Sequence, residues 1–134
     1  MNIENNIILN EFVGLTPKLE SPDVYTFAKM PFFSCRHDTP EKVAKSIAEY
    51  TKYDQDWNLI MDVVEKIETI EDCRFDVMRE QYCVIIKDSY QMIEMFEVSA
   101  DTKIEALYNA CVKFVKWYNK TLKKQEKFKF LFGG

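Results

Sequence analysis

Cys35 and His37 stand two residues apart in the run CRHDTP, and His37 is the only histidine in the chain. A cysteine nucleophile needs a base within hydrogen-bond reach and a third group to orient that base. In an extended strand, residues i and i+2 project from the same side. The thiol and the imidazole can therefore meet, with Asp38 placed to orient the ring. The competing reading is a polar loop end leading into a helix cap at Thr39. As a metal site the pair is incomplete, because structural zinc takes four ligands. Cys73, Cys83 and Cys111 are distant and form no C-x-x-C spacing. Asp62, Glu65 and Glu68 recur every three residues. Paired carboxylates do acid–base work or hold Mg²⁺ when buried or confronted by a second acidic cluster. Here Asp62 and Lys66 make an i, i+4 pair, the pattern of a solvated helix face.

There is no glycine-rich phosphate loop, nucleophile elbow or zinc signature. Only three glycines are present, two of them the final residues Gly133 and Gly134. That ending matches a conjugation tail in its last two residues and in nothing else. The chain is therefore expected to be non-enzymatic, with no cofactor and no metal. An enzyme or small-molecule binder built on Cys35 and His37 is the third reading, after the two given below.

Aromatic residues beside basic ones are the other chemistry on offer. Stacking on nucleic-acid bases needs exposed aromatics next to cations. Trp57 falls on an apolar helical stripe, which assigns it to the core. Trp117 falls off the stripe of its own helix, beside Lys113, Lys116 and Lys120, where the competing reading to a partner contact is partial burial at the helix edge. Residues 120–129 hold five lysines and one acid, Glu126, leaving 13 basic and 21 acidic side chains elsewhere, a net of −8. An acidic body disfavours non-specific nucleic-acid binding. The expected partner is a protein, contacted through Trp117, Lys120, Phe128, Phe130 and Phe132, and the alternating Lys/Phe tail is a candidate seam for a homo-oligomer.

The elements that must position these residues follow from periodicity. Residues 4–13 form a helix with Ile8 and Phe12 on one face, stopped by Gly14 in the left-handed conformation open to glycine. Pro17 and Pro22 bracket a loop. Residues 23–35 are β structure, a hairpin with Pro31 at a turn or edge. Thr39-Pro40 starts a helix running to about Tyr50, burying Val43 and Ile47 with Ala44 and Tyr50 beside them. Residues 54–68 form the next, capped by Asp54 or Asp56, with Trp57, Ile60, Met61, Val64 and Ile67 on its apolar face. Three strands follow, 74–78, 81–87 and 90–98, joined by short links that favour an antiparallel meander. The first has Phe75 and Val77 on one face. The second is apolar on both faces, the mark of a central strand. Thr102 and Glu105 have the spacing of a capping box. The helix after them carries a stripe of Ile104, Leu107, Tyr108, Cys111, Val115, Tyr118 and Leu122.

With 134 residues, 47% apolar and 14% aromatic, the chain has core material for one domain over 1–123, with a tail at 124–134 that either adds an edge strand or is mobile. No apolar run reaches the roughly 18 residues of a membrane span. The opening MNIENNIILNEF is acidic, with an apolar run too short for a secretory leader. Cysteines without a framework indicate reduced thiols and a cytoplasmic setting.

Three segments, NNIILNEFVGL, DWNLIMDVVEKIE and TKIEALYNACVKFVKWYN, together resemble the phage ABA sandwich domain family, small phage and prophage proteins. A strand with Phe75 to Val77 and one with a central Cys83 lie between them in the expected order. The resemblance covers most of residues 2–119. It implies an α+β fold, a three-layer α/β/α sandwich with an antiparallel sheet of four to five strands and helices on both faces. It carries no residue roles. The expectation is a non-catalytic phage accessory protein in the bacterial host cytoplasm, binding a macromolecule such as a host-defence or host-machinery protein. The alternative is a self-associating virion or assembly component.

Overall fold

The computed structural model describes residues 2–21, 24–27, 30–36, 39–89 and 92–122. The expectations placed on His37, Asp38 and the tail 124–134, including Phe128, Phe130 and Phe132, lie outside the described residues. The fold is α+β with antiparallel strands throughout. The strands divide between two three-stranded sheets rather than one sheet of four to five. The chain forms two compact units, residues 1–66 and 67–134.

The first unit opens with α1 (Ile3–Phe12). Asn2 caps it, its side chain accepting from the Asn5 N–H at 3.1 Å. Gly14 ends it at φ 84°. The Gly14 N–H donates to Glu11 O at 3.1 Å and the Leu15 N–H to Asn10 O at 2.8 Å, the paired bonds of a Schellman ending. The helix faces differently from the expected Ile8/Phe12 register. Asn6, Leu9, Asn10 and Val13 are buried, and Ile8 and Phe12 only half-buried. Two asparagines turn inward because each finds a partner. Asn6 Nδ2 donates to Ala48 O at 3.1 Å and to Thr51 O at 3.0 Å. Tyr53 donates its hydroxyl proton to Asn10 Oδ1 at 2.7 Å.

The segment expected as a loop between Pro17 and Pro22 is instead a strand, β1 (Pro17–Ser21), pairing with β2 (Val24–Phe27), which pairs with β3 (Met30–Arg36). Local signals missed β1 because the ladder to β2 supplies its order. Pro31 lies in the edge strand β3, where the pairing jumps from Thr26↔Ser34 to Phe27↔Met30. An irregular edge tolerates a residue without an N–H.

Helix α2 (Pro40–Tyr50) begins as expected, with Thr39 accepting from the Lys42 N–H at 3.3 Å. It buries Val43, Ile47 and Ala48 and packs against α1. Tyr50 is 68% exposed rather than on the apolar face. Asp56 caps α3 (Trp57–Glu68), accepting from Asn58 N at 2.9 Å and Leu59 N at 3.3 Å. Here the buried stripe is Ile60, Val63, Val64 and Ile67. Trp57 and Met61 are 44% and 37% exposed, so the core reading of Trp57 fails. The stripe is rotated by Val63, which matches the spacing to Ile60, Val64 and Ile67 and needs no exposed polar tip.

The second unit carries β4 (Cys73–Arg79), β5 (Tyr82–Ser89) and β6 (Met92–Ser99), ordered β4-β5-β6, then α4 (Lys103–Trp117). A single π turn, Tyr118–Leu122, follows. Strand β5 is central, as its two apolar faces required, and Cys83, Val84, Ile85 and Ile86 are all buried. A bulge at Asp76 shifts the register from Phe75↔Ile85 to Val77↔Val84. The backbones of Phe75 and Val77 are thus set opposite adjacent residues of β5, which an even alternation would not do, because β4 carries an extra residue. Asp72, at φ 65°, turns the chain into β4; its carbonyl accepts from Asp88 N at 2.9 Å. Lys87 is 7% exposed. Its ammonium donates to Glu71 O at 2.7 Å and stands 3.8 Å from Asp72, which is how a buried cation is tolerated.

Two substitutions test this frame. Gly14→Ala places a Cβ in the left-handed region and is expected to cost about 1–2 kcal/mol, read as a lower urea midpoint. Asn6→Ala leaves two buried carbonyls without their donor and is expected to cost about 2 kcal/mol or more. An Asn6→Ala midpoint equal to that of the parent protein would show that the α1–α2 tie carries no stability.

Candidate functional site

Alternation along β6 decides which side chains face helix and which face outward. Residues opposed in an antiparallel ladder share a face. The pairs Cys83↔Val98 and Ile85↔Phe96 lie on the face under α4. There Phe96 meets Phe114 edge-on at 5.3 Å and Trp117 at 5.2 Å, and Phe114 lies 5.8 Å from Trp117. Thr102 starts the helix above, accepting from the Glu105 N–H at 3.3 Å. Of the expected stripe of α4, Leu107, Tyr108, Cys111 and Val115 are buried, and Phe114, Ala106, Ala110 and Val112 join them. Asn109, Lys113 and Lys116 are left exposed.

On the opposite face the pairs are Val84↔Glu97, Ile86↔Met95 and Asp88↔Ile93. Val84 and Ile86 of the central strand are buried, but Ile93 and Met95 of β6 are 65% and 54% exposed. Beside them Tyr82 donates its hydroxyl proton to Glu97 Oε2 at 2.7 Å. That bond, made to the protonated phenol, raises the Tyr82 pKa. Arg74 and Asp88 pair at 3.4 Å on the same face. Among the described residues β6 pairs only with β5. An apolar pair at a sheet edge, next to carboxylates, is the chief surface feature of this unit.

Trp117 is half-buried and committed to the Phe96 cluster, so it closes the edge of the packed layer. Lys120 is exposed in the π turn. The Lys113 ammonium reaches Glu97 O at 3.5 Å. Cys35 lies on β3 with its backbone opposite Tyr25, and His37 is outside the described residues. Asp62, Glu65 and Glu68 are exposed on α3. Among the described residues no group of three or more histidine, cysteine or acidic side chains could hold a metal ion, and no helix is long and apolar enough to cross a membrane.

The buried thiols are tuned away from reactivity. Burial raises the Cys83 pKa to about 11. It also raises Cys111 well above the ordinary thiol value, with the neighbouring Cys83 adding to the effect. Cys73 is raised by burial although Lys87 pulls it down. Thiolates, not thiols, are nucleophiles. Burial also raises the Tyr53 phenol, reinforced by Asp62.

The described residues also line depressions in the surface. An open one of about 480 Å³ lies at Arg79, Glu80, Gln81 and Lys103, where Gln81 Nε2 donates to Asp101 O at 3.1 Å. A small one of about 50 Å³ is lined by Ile7, Asn10, Leu15, Thr16 and Ile47. Among the described residues the buried Asn10 Nδ2 has no hydrogen-bond partner. Sequence reasoning missed Ile93 and Met95 as a surface. Periodicity sorts the residues of a strand onto two faces and does not say which face is covered. No family model, curated protein or solved structure matches the chain.

The thiols give a pH prediction. The folded protein holds the Cys83 proton more tightly than the unfolded chain does. Stability is therefore whole below the ordinary thiol value of 9.0 and is lost as pH rises from there through about 11. Cys111 acts in the same direction. Urea midpoints measured at about pH 7, 9 and 10 are expected to fall over the last two; a flat profile would contradict the assignment.

Proposed function

We propose that the protein is a non-catalytic accessory factor of phage type that works in the cytoplasm of its bacterial host by binding another protein. The observation that carries this reading is the adjacent exposure of Ile93 and Met95, 65% and 54%, on an edge strand. Apolar side chains grouped at an edge are what a protein contact covers. The charge of the chain, −4 overall, supports a basic partner reached with electrostatic steering. A defence or host-machinery protein with a basic surface is the target class. The phage setting rests on the resemblance of the three helical segments.

The test is capture from host lysate on the immobilised protein, run beside an Ile93→Asp, Met95→Asp variant of unchanged circular dichroism. A host protein retained by the parent is expected to drop at least about ten-fold on the variant, a change of roughly 1.4 kcal/mol or more. Equal retention by both would remove β6 as the contact. Recovery of the protein's own chain alone would favour a self-assembling component.

A further inference from the structure

We propose that the outer edge of β6 takes up an extended segment of the partner protein as a fourth strand, one that sets apolar, basic, apolar, apolar and basic side chains opposite Ile93, Glu94, Met95, Phe96 and Glu97. This deepens the reading of β6 as the contact surface and rests on it. The backbone of Met92–Ser99 is unpaired along its outer side among the described residues. Its ladder to β5 runs without a register shift, and the strand contains no proline and no lysine. Proteins commonly blunt a free edge with bulges, prolines and charged side chains; β6 has no bulge and no proline, and its charges are Glu94 and Glu97 alone. Such an edge is the template for strand addition, in which main-chain bonds bind and alternate side chains select.

The selecting side chains follow from the register. An added strand puts its residues directly opposite those of β6, face by face. Away from α4 it meets Ile93 and Met95, which want apolar neighbours, and then the exposed carboxylate of Glu97, which has one hydrogen bond, from Tyr82. Under α4 it meets Glu94 and Phe96. Glu94 faces Lys87 across the ladder, but that ammonium is directed to Glu71 O and Asp72. Two carboxylates three residues apart, with apolar residues around and between them, define the pattern.

Two nearer occupants fit worse. A second copy of β6 would bring four carboxylates to one seam with no cation. The chain's own tail has Lys127 and Lys129 two residues apart, not three. Lys124 and Lys127 have the right spacing but enclose Gln125 and Glu126, which would fall on Met95 and Phe96.

The intact protein is titrated with two labelled peptides, Val-Lys-Val-Phe-Lys-Val for a parallel addition and its reversal Val-Lys-Phe-Val-Lys-Val for an antiparallel one. One of them is expected to bind, with amide protection appearing at residues 92–99. Its affinity should fall at least ten-fold on a Glu94→Lys, Glu97→Lys variant. A peptide with glutamate in place of both lysines should recover binding to that variant, which also shows that the variant is folded. Binding of neither peptide, or indifference to the charge exchange, overturns the proposal. Binding seen only after Lys127→Glu and Lys129→Glu would assign the edge to the chain's own tail, and equally overturn it. If the Ile93→Asp, Met95→Asp variant loses a captured host protein while neither peptide binds, strand addition falls and the β6 contact surface stands.

Discussion

The contact of Phe96 with Phe114 and Trp117 is the constraint from which the second unit follows. An aromatic trio with centroids 5.2 to 5.8 Å apart is a bulky, shape-specific contact, strengthened by edge-to-face geometry. It fixes where α4 crosses its sheet. Once Phe96 is under the helix, strand alternation leaves no choice for its neighbours. Met95 and Glu97 must face the other way, and so must Ile93. Among the described residues β6 has one strand neighbour where β5 has two, and Ile93 and Met95 are exposed where Val84 and Ile86 are buried. The exposed pair is thus a by-product of the packing that makes the unit stable.

The first unit depends on a different kind of interaction. Two helices are joined by amide side chains instead of by apolar packing alone. Asn6 closes the C-terminal carbonyls of α2, and Asn10 receives the Tyr53 hydroxyl just beyond that helix. A buried amide is costly unless paired, so the arrangement specifies one register of α1 against α2. The same logic places Lys87. Its buried ammonium is held at the turn before β4 by the Glu71 carbonyl and by Asp72, which clamps the β4–β5 pair at that end.

Chemistry has been moved out of the interior rather than concentrated in it. The buried thiols at Cys73, Cys83 and Cys111 are held as thiols by burial, and they act as small apolar groups in the core. Acidic side chains such as Asp62, Glu65 and Glu97 remain at the surface, where they confer charge. Along β6 the surface of the second unit sets the exposed Ile93 and Met95 beside the carboxylate of Glu97.

Local code was legible where a residue acts on its own neighbours. Caps at Thr39, Asp56 and Thr102, the stop at Gly14, and the two-faced burial of β5 are written within a few positions, because capping and alternation are short-range physics. What needed the tertiary structure was every choice decided at a distance. Periodicity alone could not choose between Trp57 and Val63 on α3, or turn Asn6 and Asn10 inward on α1, since those depend on partners 42 to 45 residues away in the case of Asn6. It could not foresee the bulge at Asp76, nor that two sheets form in place of one, because strand pairing is a contest among remote segments. The α+β class, the order of helices and strands apart from β1, and the acidic character belong to the sequence by itself. The packing of Trp117 on Phe96 and the exposure of Ile93 and Met95 belong to the folded chain, because a side chain's surroundings are set by whatever packs against it.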